Sequence, residues 1–274
     1  MPAALRCAVA LVAAGVLAGC AGRAPALGAV IDRAPVELVA TPFHPQTALQ
    51  CGPAALATVL GADGARVSPA ELEPRLFLPA RGGSLQTELL ATTRHYGRIP
   101  LQLDTRMQAV ADALAAGYPV LVLQNLGTPW TPAWHYAVVV GLDPGRERVV
   151  LRSGSERRRF EHAADFMRSW SYAGRWAVVA ADPERVPAFA SLRAWLRAAA
   201  PAESAGQLAL AESAYAAAVA RWPESGLARA ALGNARHARG AVRAARDAWR
   251  KALALDPELE AARRNLAATA PRSE

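Results

Sequence analysis

Three cysteines, at positions 7, 20 and 51, and five histidines, at 44, 95, 135, 162 and 237, are the residues of this 274-residue chain best suited to nucleophilic chemistry. A thiolate nucleophile needs an imidazole that takes a proton and gives it back, so the first question is which Cys and which His can meet. Cys51 opens the run Cys51-Gly52-Pro53-Ala54-Ala55-Leu56-Ala57-Thr58-Val59-Leu60. Pro53 suits the first turn of a helix, where a missing N–H costs nothing, and the apolar residues after it run on to Gly61. Cys51 is therefore predicted at a helix N-terminus, where the dipole and the unpaired N–H groups favour a thiolate and can hold a developing oxyanion. The plainer alternative is an inert Cys packed at a helix start. Among the histidines, His135 has the best setting. It begins the run His135-Tyr136-Ala137-Val138-Val139-Val140-Gly141-Leu142-Asp143, which reads as a strand ending in an Asp-Pro-Gly turn, directly after a Pro- and Trp-rich loop. His95 ends a helical segment before Gly97, His44 lies in a Pro-flanked extended stretch, and His162 and His237 read as helix-surface positions.

The elements that must position this pair follow from the pattern around it. Ser68-Pro69-Ala70-Glu71 is a capping box opening a short helix to about residue 77. Arg81-Gly82-Gly83-Ser84 leads into a helix over residues 85–96 with Ser84 as N-cap and Gly97 as the stop. Gly82-Gly83 reads as a turn, since no strand-loop-Lys pattern supports a phosphate loop. A further helix is predicted from Met107 to Ala116, then strands over 120–124, 135–142, 149–152 and 175–180. A helical half followed by an antiparallel sheet is an α+β arrangement, with the nucleophile on the first helix and the imidazole on the sheet, across a cleft. The run Arg157-Arg158-Arg159, flanked by Glu156 and Glu161, reads as a solvated hairpin surface. The net charge of +8 is carried almost wholly by Arg, with Lys251 the single Lys. The charges are scattered among acids and no aromatic interleaving accompanies them, so nucleic acid is not expected as a partner. No pair of His at helical spacing and no Cys pair marks a metal site, and no cofactor is called for.

The N-terminus reads as an address. Arg6 precedes an apolar stretch from Cys7 to Leu17, too short to span a bilayer. Leu17-Ala18-Gly19-Cys20 resembles the bacterial lipobox, in which the Cys is lipidated and becomes the first residue of the mature protein. The resemblance implies a signal peptide over 1–20, lipidation with palmitate at Cys20, and, because Ala21 rather than Asp follows, an outer-membrane lipoprotein facing the periplasm. Residues 21–35 are rich in Ala, Gly and Pro and read as a tether. On this reading Cys51 is the one free thiol of the mature chain, in a compartment where an unused thiol is a liability.

Gln46, then Cys51-Gly52-Pro53-Ala54-Ala55-Leu56, then His135-Tyr136-Ala137-Val138-Val139-Val140-Gly141 resemble the papain-like cysteine peptidases that process bacteriocin leaders at double-glycine sites, and more closely their stand-alone relatives in bacterial lipoproteins. The resemblance covers residues 36–182 and implies an α+β papain-like fold. It implies that Cys51 is the nucleophile, that His135 is the base, and that Gln46 helps form the oxyanion hole, with Gln50 the lesser candidate. The family's third residue, an Asp or Asn often followed by Pro, orients the imidazole from the next strand; here Ser153-Gly154 stands in that place. Three explanations stand side by side: Ser153 or a backbone carbonyl orients His135, Asp143 reaches in from the turn, or the domain has weak or no peptidase activity.

From about Pro187 the composition turns to Ala-rich helix with a period of 34: Ala211 and Ala245, Tyr215 and Trp249, Ala218 and Ala252, and Pro223 and Pro257 are pairs 34 apart. Leu232-Gly233, Gly240, Ala245, Trp249, Ala252 and Pro257 resemble the tetratricopeptide pattern, which implies an all-α helical-repeat domain of about two repeats over 189–269 with a degenerate first helix. Such repeats imply a groove for a protein partner or, more plainly, a cover for the first domain. The sequence thus points to a lipid-anchored periplasmic cysteine peptidase acting on a peptide or protein. The alternatives are an inactive peptidase-like scaffold and a cell-wall hydrolase using the same pair.

Overall fold

The computed structural model describes residues 26–46 and 50–270. The signal segment and Cys20 lie outside the described residues. Among those described, seven strands form one antiparallel sheet: β1 (Val36–Glu37), β2 (Ile99–Gln102), β3 (Val120–Asn125), β4 (Trp134–Asp143), β5 (Arg148–Ser153), β6 (Glu156–His162) and β7 (Ala177–Ala181). The order is β2-β7-β3-β4-β5-β6, with β1 joined to β4. The central strands are apolar on both faces because both faces are covered. Leu121, Leu123, Tyr136, Val138 and Val140 point to one side; Val120, Val122, Ala137 and Val139 point to the other.

The first side is covered by three helices, α2 (Cys51–Ala62), α3 (Pro69–Leu76) and α4 (Gln86–His95), which bury Leu56, Leu60, Leu72, Leu76 and Leu89. α3 begins as its sequence dictates: Ser68 Oγ accepts from Glu71 N at 3.3 Å, and the Glu71 carboxylate accepts from Ser68 N at 2.7 Å. α4 does not. Its N-cap is Leu85, and Ser84 leaves the first turn without a side-chain cap. The second side is covered by α1 (Leu27–Val30), α5 (Met107–Ala115) and α6 (Ala163–Tyr172), with Phe166 and Trp170 stacked in the core.

One expectation is corrected here. The stretch 21–35 does not serve as a tether over its whole length. Leu27 and Ile31, four apart on one helical turn, are both buried against the sheet. Leu27 N donates to the Glu147 carboxylate at 2.8 Å, and Arg33 pairs with Asp112 at 2.7 Å. The triple-Arg run lies on the solvated surface of the β5–β6 hairpin, within the edge strand β6, whose residues are nearly all exposed, so no alternation betrays the strand. Phe160 on that strand carries Arg148 and Arg158 over its ring.

Five helices complete the chain: α7 (Leu192–Ser204), α8 (Leu208–Arg221), α9 (Gly226–Ala238), α10 (Val242–Leu255) and α11 (Glu260–Ala268). α9 begins and ends 34 residues after α7, and α10 begins and ends 34 after α8. Trp195 Nε1 donates to Ala214 O at 2.8 Å and Trp249 Nε1 to Asn234 Oδ1 at 3.0 Å, so each buried indole is satisfied within the helical region. Trp195, Ala199, Ala214 and Tyr215 belong to the same continuous core as the second side of the sheet, whereas Trp249 belongs to a small separate cluster with Ala245, Ala252 and Ala262. Among the described residues, no helix is long and apolar enough to cross a membrane.

Candidate active site

Cys51 is the first residue of α2, with Gln50 at the N-cap. The first-turn N–H groups of a helix have no intrahelical acceptor, so they face whatever lies beside the sulfur. The thiol is free and half-buried. Gln50 Nε2 donates to Glu73 Oε2 at 2.9 Å, which holds that amide on α3. Gly52 is required where it stands: a Cβ at position 52 would collide with Ser84 Oγ and lie 2.7 Å from Ser84 Cβ.

His135 is the second residue of β4, opposite Gln124 of β3. Its Nε2 lies 2.8 Å from Ser153 Oγ at the end of β5. Burial, and after it the charge of Arg159, push the imidazole below the usual histidine value, which favours the neutral ring. Gln46 comes to the same place from the segment before α2. Its backbone N donates to Gly154 O at 2.9 Å, its Oε1 accepts from Gly154 N at 3.1 Å, and its Nε2 donates to Tyr136 O at 3.3 Å. An amide nitrogen carries two hydrogens, so one N–H of Gln46 remains for a ligand.

Gln46, Cys51, Ser84, Trp134, His135 and Gly154 all line one cavity of about 770 Å³. Tyr136 forms part of its wall: its hydroxyl donates to Ser84 O at 3.3 Å, its ring meets Trp176 edge-on at 5.9 Å, and burial together with the nearby Cys51 raises its pKa. The arrangement offers a sulfur at a helix start, an imidazole whose Nε2 is already engaged by Ser153, and an amide N–H, all lining one open groove. That is the equipment for attack on a carbonyl, with the developing oxyanion held by N–H donors.

Asp143 does not join this group. It sits at the opposite end of β4, eight residues and about 26 Å from His135. There Oδ1 accepts from Arg146 N at 3.2 Å and Oδ2 from the Arg146 side chain at 3.0 Å, closing the turn into β5. A strand is too stiff to bring its two ends together, so Asp143 is a turn residue. His162 is an N-cap, its Nδ1 accepting from Ala164 N at 3.2 Å, rather than a helix-surface residue. His44 is half-buried outside this cavity's lining, and burial lowers its pKa.

Ser84 is the residue of the site that sequence reasoning placed elsewhere. It sits one position before the N-cap of α4, and its Oγ is fully buried with no hydrogen-bond partner among the described residues. The only available signal was the Gly-Gly-Ser turn itself, whose local pattern favours a cap.

The Peptidase_C39 like family model matches residues 39–178. Among solved structures, a C39-like peptidase from Bacillus anthracis aligns with a TM-score of 0.46 at 17% identity, over 55% of this chain and 98% of that one. The peptidase domain of Streptococcus ComA, a bifunctional ABC transporter involved in quorum sensing, aligns with a TM-score of 0.42 at 21% identity, over 52% and 98%. A double-glycine-motif protease from an AMS/PCAT transporter, in complex with its leader peptide, aligns with a TM-score of 0.40 at 18% identity, over 55% and 95%. No curated protein matches the chain.

Proposed function

The chain belongs to the Peptidase_C39 like family, and from that premise we propose that it is a cysteine peptidase with Cys51 as nucleophile, His135 as base and Gln46 as oxyanion donor. The observation that carries the reading is the convergence of the α2 N-terminus and the start of β4 on one open cavity. In the acylation step His135 takes the Cys51 proton, and the sulfur forms a bond to the scissile carbonyl carbon. The oxyanion accepts from the Gln46 amide and the helix N–H groups. Collapse breaks the C–N bond as the imidazolium gives its proton to the leaving amine. Water, deprotonated by the same imidazole, then hydrolyses the thioester and restores the thiol.

The protein is further proposed to be anchored to the periplasmic face of the outer membrane through a lipid on Cys20. Six residues, 21–26, would then separate the anchor from Leu27, a reach of at most about 25 Å. Leu27 is fixed to Glu147, at the end of β4 away from His135, so the cavity would open away from the bilayer toward soluble peptide. The helices recurring every 34 residues are proposed to be two tetratricopeptide repeats, and their outer faces are proposed to receive a protein partner.

The rival reading is a peptidase-like scaffold that binds peptide without cleaving it, and the hydroxyl at position 153 is what favours it. Iodoacetamide separates the two. The reading expects Cys51 to be alkylated at mildly acidic pH and His135→Ala to suppress that reaction. A thiol that reacts only above about pH 8.5, the ordinary thiol value, with or without His135, supports the scaffold.

A further inference from the structure

We infer that the corner Ser153-Gly154, where β5 turns into β6, is a single positioning element: Ser153 orients His135 while Gly154 orients Gln46, so base and oxyanion donor are held by adjacent residues. The inference rests on the roles given above to Cys51, His135 and Gln46. Neither Ser153 nor Gly154 makes or breaks a bond to substrate; both act through another residue.

The geometry supplies the argument. Ser153 Oγ is the one hydrogen-bond partner of the His135 ring among the described residues, at 2.8 Å on Nε2. With Nε2–H donated to that oxygen, Nδ1 keeps the lone pair and is the nitrogen left for the thiol. Ser153 is 4% exposed, so water does not readily replace it. The β5–β6 register shifts between Leu151 and Ser153, and such irregularities re-aim side chains beside sites. The next residue does the second task. Gly154 gives its N–H to Gln46 Oε1 and takes the Gln46 N–H on its carbonyl. Its φ of 60° is left-handed, so glycine is the residue that fits without strain. A proline at this position could neither adopt that φ nor donate to Gln46. Ser-Gly is therefore a working corner of its own kind, in which an uncharged hydroxyl orients the imidazole. The charged group that acts on the ring is Arg159 on β6, itself paired with Glu156 at 3.4 Å, and Cys51 on α2 lines the same cavity.

The test is a set of double-mutant cycles on the purified protein, read by iodoacetamide alkylation of Cys51 and by peptide cleavage. Ser153→Ala is expected to slow alkylation at pH 7 about tenfold and to lower kcat with KM nearly unchanged, an effect of the size expected when a buried orienting bond is lost. In the His135→Ala background it should change alkylation by less than about twofold, because its effect passes through the imidazole. Ser153→Asn, which restores an acceptor, should recover most of the rate. Alkylation forms no oxyanion, so a Gln46 that serves only as a donor would not influence it; a Gln46 tied to the corner would. Gln46→Leu is therefore expected to slow alkylation at least threefold, and not further once Ser153 is Ala. Ser153→Ala acting equally with and without His135, or Gln46→Leu leaving alkylation unchanged while cleavage falls, overturns the inference. If His135→Ala itself leaves alkylation unchanged, the Cys–His reading fails as well.

Discussion

The two halves of this molecule solve different problems with different means. The helical half is assembled from neighbours: α7 packs on α8 and α9 on α10, the same spacing of 34 residues returns, and small Ala residues let the helices approach while one indole or phenol fills each gap. The polar tips of its aromatic cores are all engaged locally, Trp195 on Ala214, Trp249 on Asn234 and Tyr215 on Glu203. The cleft end of the sheet half is assembled from strangers. Gln46 meets Gly154 across 108 residues and Tyr136 meets Ser84 across 52. Repetition gives shape cheaply, because each unit needs only the unit beside it. A reactive site needs unlike groups at one point, which only long-range pairing can deliver.

That contrast is sharpened most by two tryptophans. Trp195→Ala and Trp249→Ala each remove a buried indole, and each should cost about 3–5 kcal/mol. Trp195 lies in the core shared with the sheet and Trp249 in the terminal cluster. Thermal unfolding followed by circular dichroism, with activity measured in parallel, should show the two changes diverging. Loss of the Trp195 indole lowers the melting of the whole protein and the activity together. Loss of the Trp249 indole loosens α10 and α11 while kcat/KM stays within about twofold. Equal effects on activity would show that the helical half is not divisible in this way.

The next largest effect is expected at Gly52. Adding one methyl group there drives Ser84 and the α2 N-terminus apart, and misplacement of a reacting group by about 1 Å costs on the order of a hundredfold in rate. Gly52→Ala should therefore lower kcat about a hundredfold and, because overpacking costs about 1–3 kcal/mol, lower the melting temperature by a few degrees; Ser84→Gly in the same chain should return most of both. A Gly52→Ala enzyme of normal activity would place the sulfur's working position elsewhere.

Much of the cleft was legible in sequence where its cause is local. Cys51 before Gly52-Pro53 specifies a helix start, and the run from His135 specifies a buried strand with its imidazole at the mouth. The 34-residue period was legible for the same reason. What was hidden depends on register. Nothing in Arg148-Val149-Val150-Leu151-Arg152-Ser153 states that the β5–β6 pairing slips before Ser153 and turns its hydroxyl onto His135. Local pattern makes Ser84 the cap of α4, yet the N-cap is Leu85 and the Ser84 side chain lies against Gly52. β2 escaped notice because it is short and contains Pro100, which an edge strand tolerates.

The smallest expected effect concerns pH. Burial and Arg159 lower the His135 pKa, so the neutral base survives below the ordinary histidine value of about 6.5, and the acidic limb of kcat/KM should lie below that pH. Arg159→Gln should move the limb upward, toward the ordinary value, without changing the plateau. The same shift has a stability consequence with a definite sign. Folding favours the neutral ring, so this contribution is present above about pH 6.5 and is lost as pH falls through the lower folded value. A limb that does not move in Arg159→Gln would assign it to another group.

The central claim is that sulfur 51 opens peptide bonds, and digestion of a diverse peptide library by the purified protein, beside its Cys51→Ala variant, tests it most directly. New peptide termini, read by mass spectrometry, should appear with the parent protein and be absent from the variant. Termini appearing equally in both, or in neither across the accessible pH range, would contradict the claim.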